Sequence, residues 1–193
     1  MADTLEKLQA RFGADVLHTH QFRGDDTAIV KREALLAVAQ FLRDELAFNQ
    51  LTDETVVDLL KMSECETHPS WAGERFEFVA HFYSISRNVR VRIKARCPEN
   101  DPHVPSLYPL YKSANFMERE IFDMYGVILD GHPDLRRILL YEEFEGYPLR
   151  KDYPISRQQP LIPMNLESVH SSSLDYKDLN TAPDRNSPAA KER

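Results

Sequence analysis

Apolar residues near the start of the chain recur three and four apart. Leu5, Leu8 and Phe12 follow this spacing and stop at Gly13, while Leu35, Leu36, Ala39, Leu42 and Leu46 form one stripe within EALLAVAQFLRDELAF. Two helices are predicted, each with one face to bury. From Thr55 the pattern switches to period two. TVVDLLKM, RFEFVAHFYSI and NVRVRIKARC are β-branched and aromatic runs, separated by the polar ETHPSWAGE and by SRN. They predict three strands, the last two a hairpin, and a further short strand is expected over residues 28–31. PENDPHVPSLYP reads as a loop. ANFMEREIFDMYG then returns to helical spacing, with Met117, Ile121, Met124 and Tyr125 on one side, Ser113 as its N-cap and Gly126 as its stop.

Beyond Gly131 the periodicity ends. Prolines fall at 133, 148, 154, 160 and 163, and the closing SSSLDYKDLNTAPDRNSPAAKER is polar. Only PDLRRILLY suggests a short helix there, with Asp134 in its first turn, where the helix dipole favours an acid. The expected architecture is α+β: a mostly antiparallel sheet with helices packed on one face over residues 1–130, then a long extended C-terminal tail over 131–193. A segment of that length without periodic structure is expected to be disordered or laid on a partner.

Length and charge narrow the function classes. At 193 residues the chain suits one domain, since a chain of this size buries roughly 70 % of its unfolded surface. A net charge of -7 and a pI near 5.5 argue against a nucleic-acid binder, which needs a basic footprint. No run of about eighteen apolar residues occurs, so any membrane link is expected to pass through a partner. MADTLEKLQARFG has neither a basic n-region nor an apolar h-region, which points to the cytoplasm. Cys65 and Cys97 stand alone with no C-x-x-C, and a disulfide framework, a zinc knuckle or a four-cysteine iron-sulfur site within the chain is excluded.

Candidate chemistry concentrates in EREIFDMYGVILDGHPDLRR, residues 118–137. Glu118, Glu120 and Asp123 share a helix, but at about 100 degrees per residue Glu118 and Glu120 diverge, and Arg119 has Asp123 at i+4 as an ion-pair partner. A charged helix face docked on a partner or on the tail explains them better than an acid-base pair. His132, between Gly131 and Pro133, reads as turn chemistry in preference to a metal ligand. His18 and His20 would lie on one side of a strand, two ligands where a metal needs three or four. Arg90, Arg92, Lys94 and Arg96 form a basic stripe, which an acidic partner or the neighbouring Glu77 could balance. No phosphate-binding glycine loop, G-x-S-x-G elbow or H-E-x-x-H occurs.

The stretch EREIFDMYGVILDGHPDLRRILLYEEFEGYPLRKDYP, residues 118–154, resembles the signature of the C subunit of NADH-quinone oxidoreductase, respiratory complex I, the family of the mitochondrial thirty-kilodalton subunit. RFEFVAHFYSI, VRVRIKA and DPHVPSLYPLYKSANFMERE are similar to that family too, so the resemblance covers about residues 75–154 well and the N-terminal third loosely. Leu129 stands where the family usually has an aromatic residue, and Tyr147 where histidine is common. The resemblance implies an accessory structural subunit of the hydrophilic arm, peripheral on the cytoplasmic side of the bacterial membrane. FMN and iron-sulfur clusters would sit in partner subunits, with no cofactor on this chain. The implied partners are chiefly the D subunit, which forms the quinone site, with the B and I subunits nearby. The implied contact residues are Glu118, Arg119, Glu120, Asp123 and Gly126 on the helix, Gly131, His132, Pro133, Asp134, Leu135, Arg136 and Arg137 after it, and Arg150, Lys151 and Asp152 further on. Arg suits such contacts because its planar fork pairs carboxylates bidentately. An alternative is the equivalent subunit of a membrane-bound hydrogenase or related quinone or ferredoxin oxidoreductase. A third reading, of another class, is a free-standing enzyme using Glu118, Asp123 and His132.

Overall fold

The computed structural model describes residues 2–60 and 74–161. The chain opens with α1 (Ala2–Phe12), whose Leu8 is buried where the periodicity placed it. A hairpin follows, β1 (Val16–Phe22) against β2 (Asp25–Val30), antiparallel. Its two-residue turn, Arg23 and Gly24, has φ of 55° and 88°. Positive φ at both central positions matches the right-handed twist of the flanking strands. Next come α2 (Leu35–Asp44), β3 (Gln50–Asp58), β4 (Phe76–Ser84) and β5 (Val89–Cys97). The predicted hairpin of the last two strands is present, with Phe82 opposite Val91 and Phe76 opposite Cys97.

The five strands are ordered β1-β2-β5-β4-β3. The sheet is mixed: β2 runs parallel to β5, while β1–β2, β4–β5 and β3–β4 are antiparallel. A parallel neighbour needs a long crossover, and α2, β3 and β4 supply it. Alternation sets the two faces. Ala28, Val30, Phe78, Ala80, Phe82, Val91, Ile93 and Ala95 share one core with Leu8 of α1 and Leu35, Val38 and Leu42 of α2. Ile121 of the third helix, described next, belongs to the same core, so the helices cover one face of the sheet. The other face carries Glu77, His81, Arg92, Lys94 and Arg96.

After β6 (His103–Pro105) the chain enters α3 (Ala114–Tyr125), then β7 (Ile128–Asp130), which pairs in parallel with β6. Gly126 ends α3 with φ 70°, its N–H bonding the Phe122 carbonyl at 2.9 Å, as a left-handed C-terminal glycine does. Three local expectations are corrected. Ser113 precedes α3 without capping it, because its Oγ donates to the Leu51 carbonyl at 3.2 Å. PDLRRILLY forms no helix, so Asp134 has no dipole to meet and pairs with Arg136 at 2.7 Å instead. Arg119 and Asp123 do not pair, since each finds partners in the segment after Gly131. That segment, residues 131–159, has no regular structure, yet it lies within the same compact unit, Met1–Gln159, as the sheet and helices. The expected linker ETHPSWAGE up to Gly73, with Cys65, and the tail from residue 162 fall outside the described residues.

Candidate interaction site

The strap of residues 131–159 is fixed to α3 through one carboxylate. Asp123 is fully buried. Its Oδ2 accepts the backbone N–H groups of Ile138, Leu139 and Leu140 at 3.0, 2.8 and 2.9 Å, and its Oδ1 accepts Arg137 Nη1 at 2.7 Å. Three consecutive amides that a helix or strand would have satisfied are satisfied here by a side chain. Burial alone would raise the Asp123 carboxyl, but the Leu140 N–H, the Arg137 guanidinium and the other two amides outweigh it and hold it below the usual carboxylate range.

Arg137 is held in turn. Its Nη2 donates to the carbonyls of Phe144 and Gly146 at 3.0 and 3.2 Å, and its guanidinium lies over the Phe144 and Tyr147 rings. Arg119 donates to the carbonyls of Arg136 and Arg137 at 3.1 and 2.9 Å. Further along, Leu149 N–H bonds the Met124 carbonyl at 3.1 Å, and Arg150 Nε bonds the Tyr125 carbonyl at 2.5 Å while its guanidinium sits over Phe76 and Tyr147. Both of these carbonyls at the end of α3 are thus capped by the strap. Tyr147 packs edge-on to Phe122 and lies over Gly126, where a Cβ would overlap its ring.

A second clamp sits at the end of β3. Asp58, buried, takes Arg75 Nε and Nη2 at 3.2 and 3.0 Å and the N–H groups of Leu60 and Lys151 at 3.0 and 2.8 Å. Arg75 reaches on to Asp152 at 2.6 Å and to Glu99. Burial raises the Asp58 carboxyl and the Arg75 and backbone donors more than offset this, leaving it below the ordinary value.

Few of the named residues are free for chemistry. Glu118 is fully buried, accepting Ser106 Oγ and Leu107 N–H at 2.6 Å each, and so holds the loop before α3. His132 accepts the Asp134 N–H on Nδ1 at 3.1 Å, which leaves the ring proton on Nε2, 3.3 Å from the Asn115 carbonyl. Turn chemistry uses both nitrogens. Lys94 and Arg96 meet the buried Glu77 at 2.5 and 3.3 Å, and Arg92 Nε donates to His81 Nε2 at 2.8 Å, so much of the basic stripe is balanced within the sheet. His18 and His20 stack on β1. Among the described residues no group of three or more His, Cys, Asp or Glu could hold a metal ion. The thiol of Cys97 is buried, and burial pushes it up to about 12.

The strap's outer side sets apolar residues among charged ones. Leu139 is 62 % exposed, Leu149 47 % and Tyr141 39 %, while Glu120, Gly131, Pro133, Asp134, Arg136, Lys151 and Asp152 are also exposed. The sequence assigns no role in the strap to Asp58, Arg75, Tyr147 or these apolar residues. No local pattern marks them, because their partners lie up to 93 residues away.

The family described as "Respiratory-chain NADH dehydrogenase, 30 Kd subunit" matches residues 28–159. A protein of Trichlorobacter lovleyi, named as the C subunit of NADH-quinone oxidoreductase, is 46 % identical over 158 residues, covering 80 % of this chain and 92 % of its own. Among solved structures, the trypsin-resistant fragment (1-134) of Nqo5 matches with a TM-score of 0.58 at 28 % identity, covering 69 % of this chain and 98 % of that one. A chain of the archaeal membrane-bound sulfane sulfur reductase shares the fold, with a TM-score of 0.64 at 17 % identity over 91 % of this chain and 93 % of that one.

Proposed function

The chain belongs to the 30 Kd subunit family of respiratory-chain NADH dehydrogenase, and on that premise we propose that it is a non-catalytic subunit that holds together the hydrophilic arm of a proton-translocating NADH-quinone oxidoreductase. In this reading FMN and iron-sulfur clusters on other subunits carry electrons from NADH to quinone, and this chain bears no cofactor. Its chief neighbour is the D subunit at the quinone site, with the B and I subunits adjacent. The arm lies peripherally on the cytoplasmic side of the bacterial membrane. Among the described residues no helix is long and apolar enough to cross a membrane.

One observation carries the reading. In residues 118–159 Glu118, Asp123 and Arg137 are spent on bonds inside the chain, whereas the strap turns Leu139, Tyr141 and Leu149 outward. A general acid or base must reach a substrate, and two saturated buried carboxylates cannot. Exposed leucines on an irregular segment instead fit a surface that a neighbour covers. The test is affinity purification of the tagged full chain from solubilised membranes. An NADH-oxidising assembly containing flavin and iron-sulfur clusters should co-purify, and recovery should fall for Leu139→Ser combined with Leu149→Ser. Recovery of the chain alone, or substrate turnover by the chain alone, would overturn the proposal. The fold shared with the archaeal membrane complex favours a second reading, the equivalent subunit of a related membrane-bound oxidoreductase such as a hydrogenase. Co-purification with a nickel-containing partner lacking NADH oxidation would select it.

A further inference from the structure

Glu54 stands on the core face of β3, directly opposite Ala80 of β4, and is 4 % exposed. Both its carboxyl oxygens are enclosed, and neither has a hydrogen-bond partner among the described residues. The helix α3 packs on this strand, and its wholly buried Glu118 is close enough to repel Glu54. Among the described residues Asp53, on its own strand and also negative, acts on Glu54 as well. From β4 the facing positions are apolar: Ala80 opposite, with Phe78 and Phe82 on either side.

The two buried carboxyls are not equivalent. Glu118 accepts a hydroxyl on one oxygen and a backbone N–H on the other, and donors of that kind favour the charged form. Glu54 has none. Neighbouring buried carboxyls do not both ionise, and a buried carboxyl without donors neutralises itself rather than hold a charge. We propose that Glu54 and Glu118 form a proton-holding pair in the seam between β3 and α3, with the proton resident on Glu54 at neutral pH. Losing that proton places a second negative charge in the seam. The same helix carries Asp123, so a loosened seam weakens the support of the strap.

The titration has a defined sign. Burial first, then repulsion from Glu118 and Asp53, raises the Glu54 carboxyl well above its ordinary value, and burial also raises Glu118 despite its donors. A carboxyl that binds its proton more tightly in the folded chain gives stability that is full below the unfolded value and declines as pH rises toward the folded one. The experiment is urea unfolding of the full chain from about pH 5 to pH 8, above the ordinary carboxyl value. In the wild type the unfolding constant should carry a rise of up to about tenfold per pH unit from this proton. That part of the slope should vanish in both Glu54→Gln and Glu54→Leu. An infrared band of a protonated carboxyl at pH 7 should be present in the wild type and absent from both variants. If Glu54→Gln does not fold, Glu54→Leu decides. Slopes parallel to the wild type, or a carboxyl band unchanged in the variants, would overturn the assignment.

Discussion

The strap depends on Asp123, and its replacement by the isosteric asparagine measures how much. Oδ2 accepts three backbone N–H groups and Oδ1 accepts Arg137, whereas an asparagine amide offers one acceptor and one donor in the same space. If the amide oxygen keeps the three N–H groups, its NH2 faces the guanidinium, donor against donor. Turning the amide over moves that conflict onto three N–H groups, which costs more. The first arrangement removes one hydrogen bond to a charged group, about 1.5 to 3 kcal/mol. Arg137, 16 % exposed, keeps its three carbonyl acceptors, on Asp123, Phe144 and Gly146, and some solvent, which favours the lower half of that range. A neutral acceptor also holds the three N–H groups less strongly than a charged one, about 1 to 2 kcal/mol in all. We predict a loss of about 3 kcal/mol, the low end of the cost of breaking a buried pair and a large share of a domain's usual 5 to about 15 kcal/mol. The assay is urea unfolding of the full chain at neutral pH, with hydrogen exchange followed at residues 138–140.

Acid adds a second readout. The Asp123 carboxyl is held below its ordinary value, so its contribution is full above about pH 4 and is lost as the pH falls through the folded-state value. Asparagine has nothing to titrate, and this part of the acid sensitivity should disappear with the substitution. A loss under about 1 kcal/mol, with unchanged exchange at residues 138–140, would refute the reasoning.

Three further outcomes are expected. Asp58→Ala should cost about 1.5 to 3 kcal/mol, because it takes one carboxylate from the buried Arg75, which keeps Asp152 and Glu99, and leaves the Leu60 and Lys151 N–H groups without their acceptor, whereas Asp152→Ala, at a carboxylate 52 % exposed, should cost no more than about 1 kcal/mol; equal melting temperatures for the two would contradict the clamp. Gly126→Ala should lower the melting temperature through its φ of 70° and its overlap with the Tyr147 ring, and adding Tyr147→Ala should recover only the steric part. Leu139→Ser with Leu149→Ser should leave the isolated chain within about 0.5 kcal/mol of wild type while reducing the intact assembly on a native gel; a melting loss with normal assembly would move these leucines from interface to fold.

Much of the fold can be read from the chain because hydrophobic period is a local property. The three helices and the strands β3, β4 and β5 each repeat their pattern within a dozen residues, and the left-handed stop at Gly126 follows from glycine's missing Cβ. The hairpin of β1 and β2 is less legible, since VLHTHQF lacks clean alternation and Arg-Gly is not the usual turn pair. Nothing in either strand announces that β2 lies parallel to β5, because pairing is chosen between segments far apart. The family's signature is recognisable as residue types in order, but the order does not say where the side chains go. Spacing sets Asp123 beside Arg119, four positions away on its own helix, yet it bonds to groups 14 to 17 positions along the chain. Arg137, expected to fork onto a neighbour's carboxylate, is committed to Asp123 and two carbonyls. The sequence by itself determined which segments form elements and which faces they bury, through period and backbone propensity. Only the tertiary structure decided the partners of the charged groups, because a buried carboxylate takes whatever donors the folded chain brings within reach, whatever their distance in sequence.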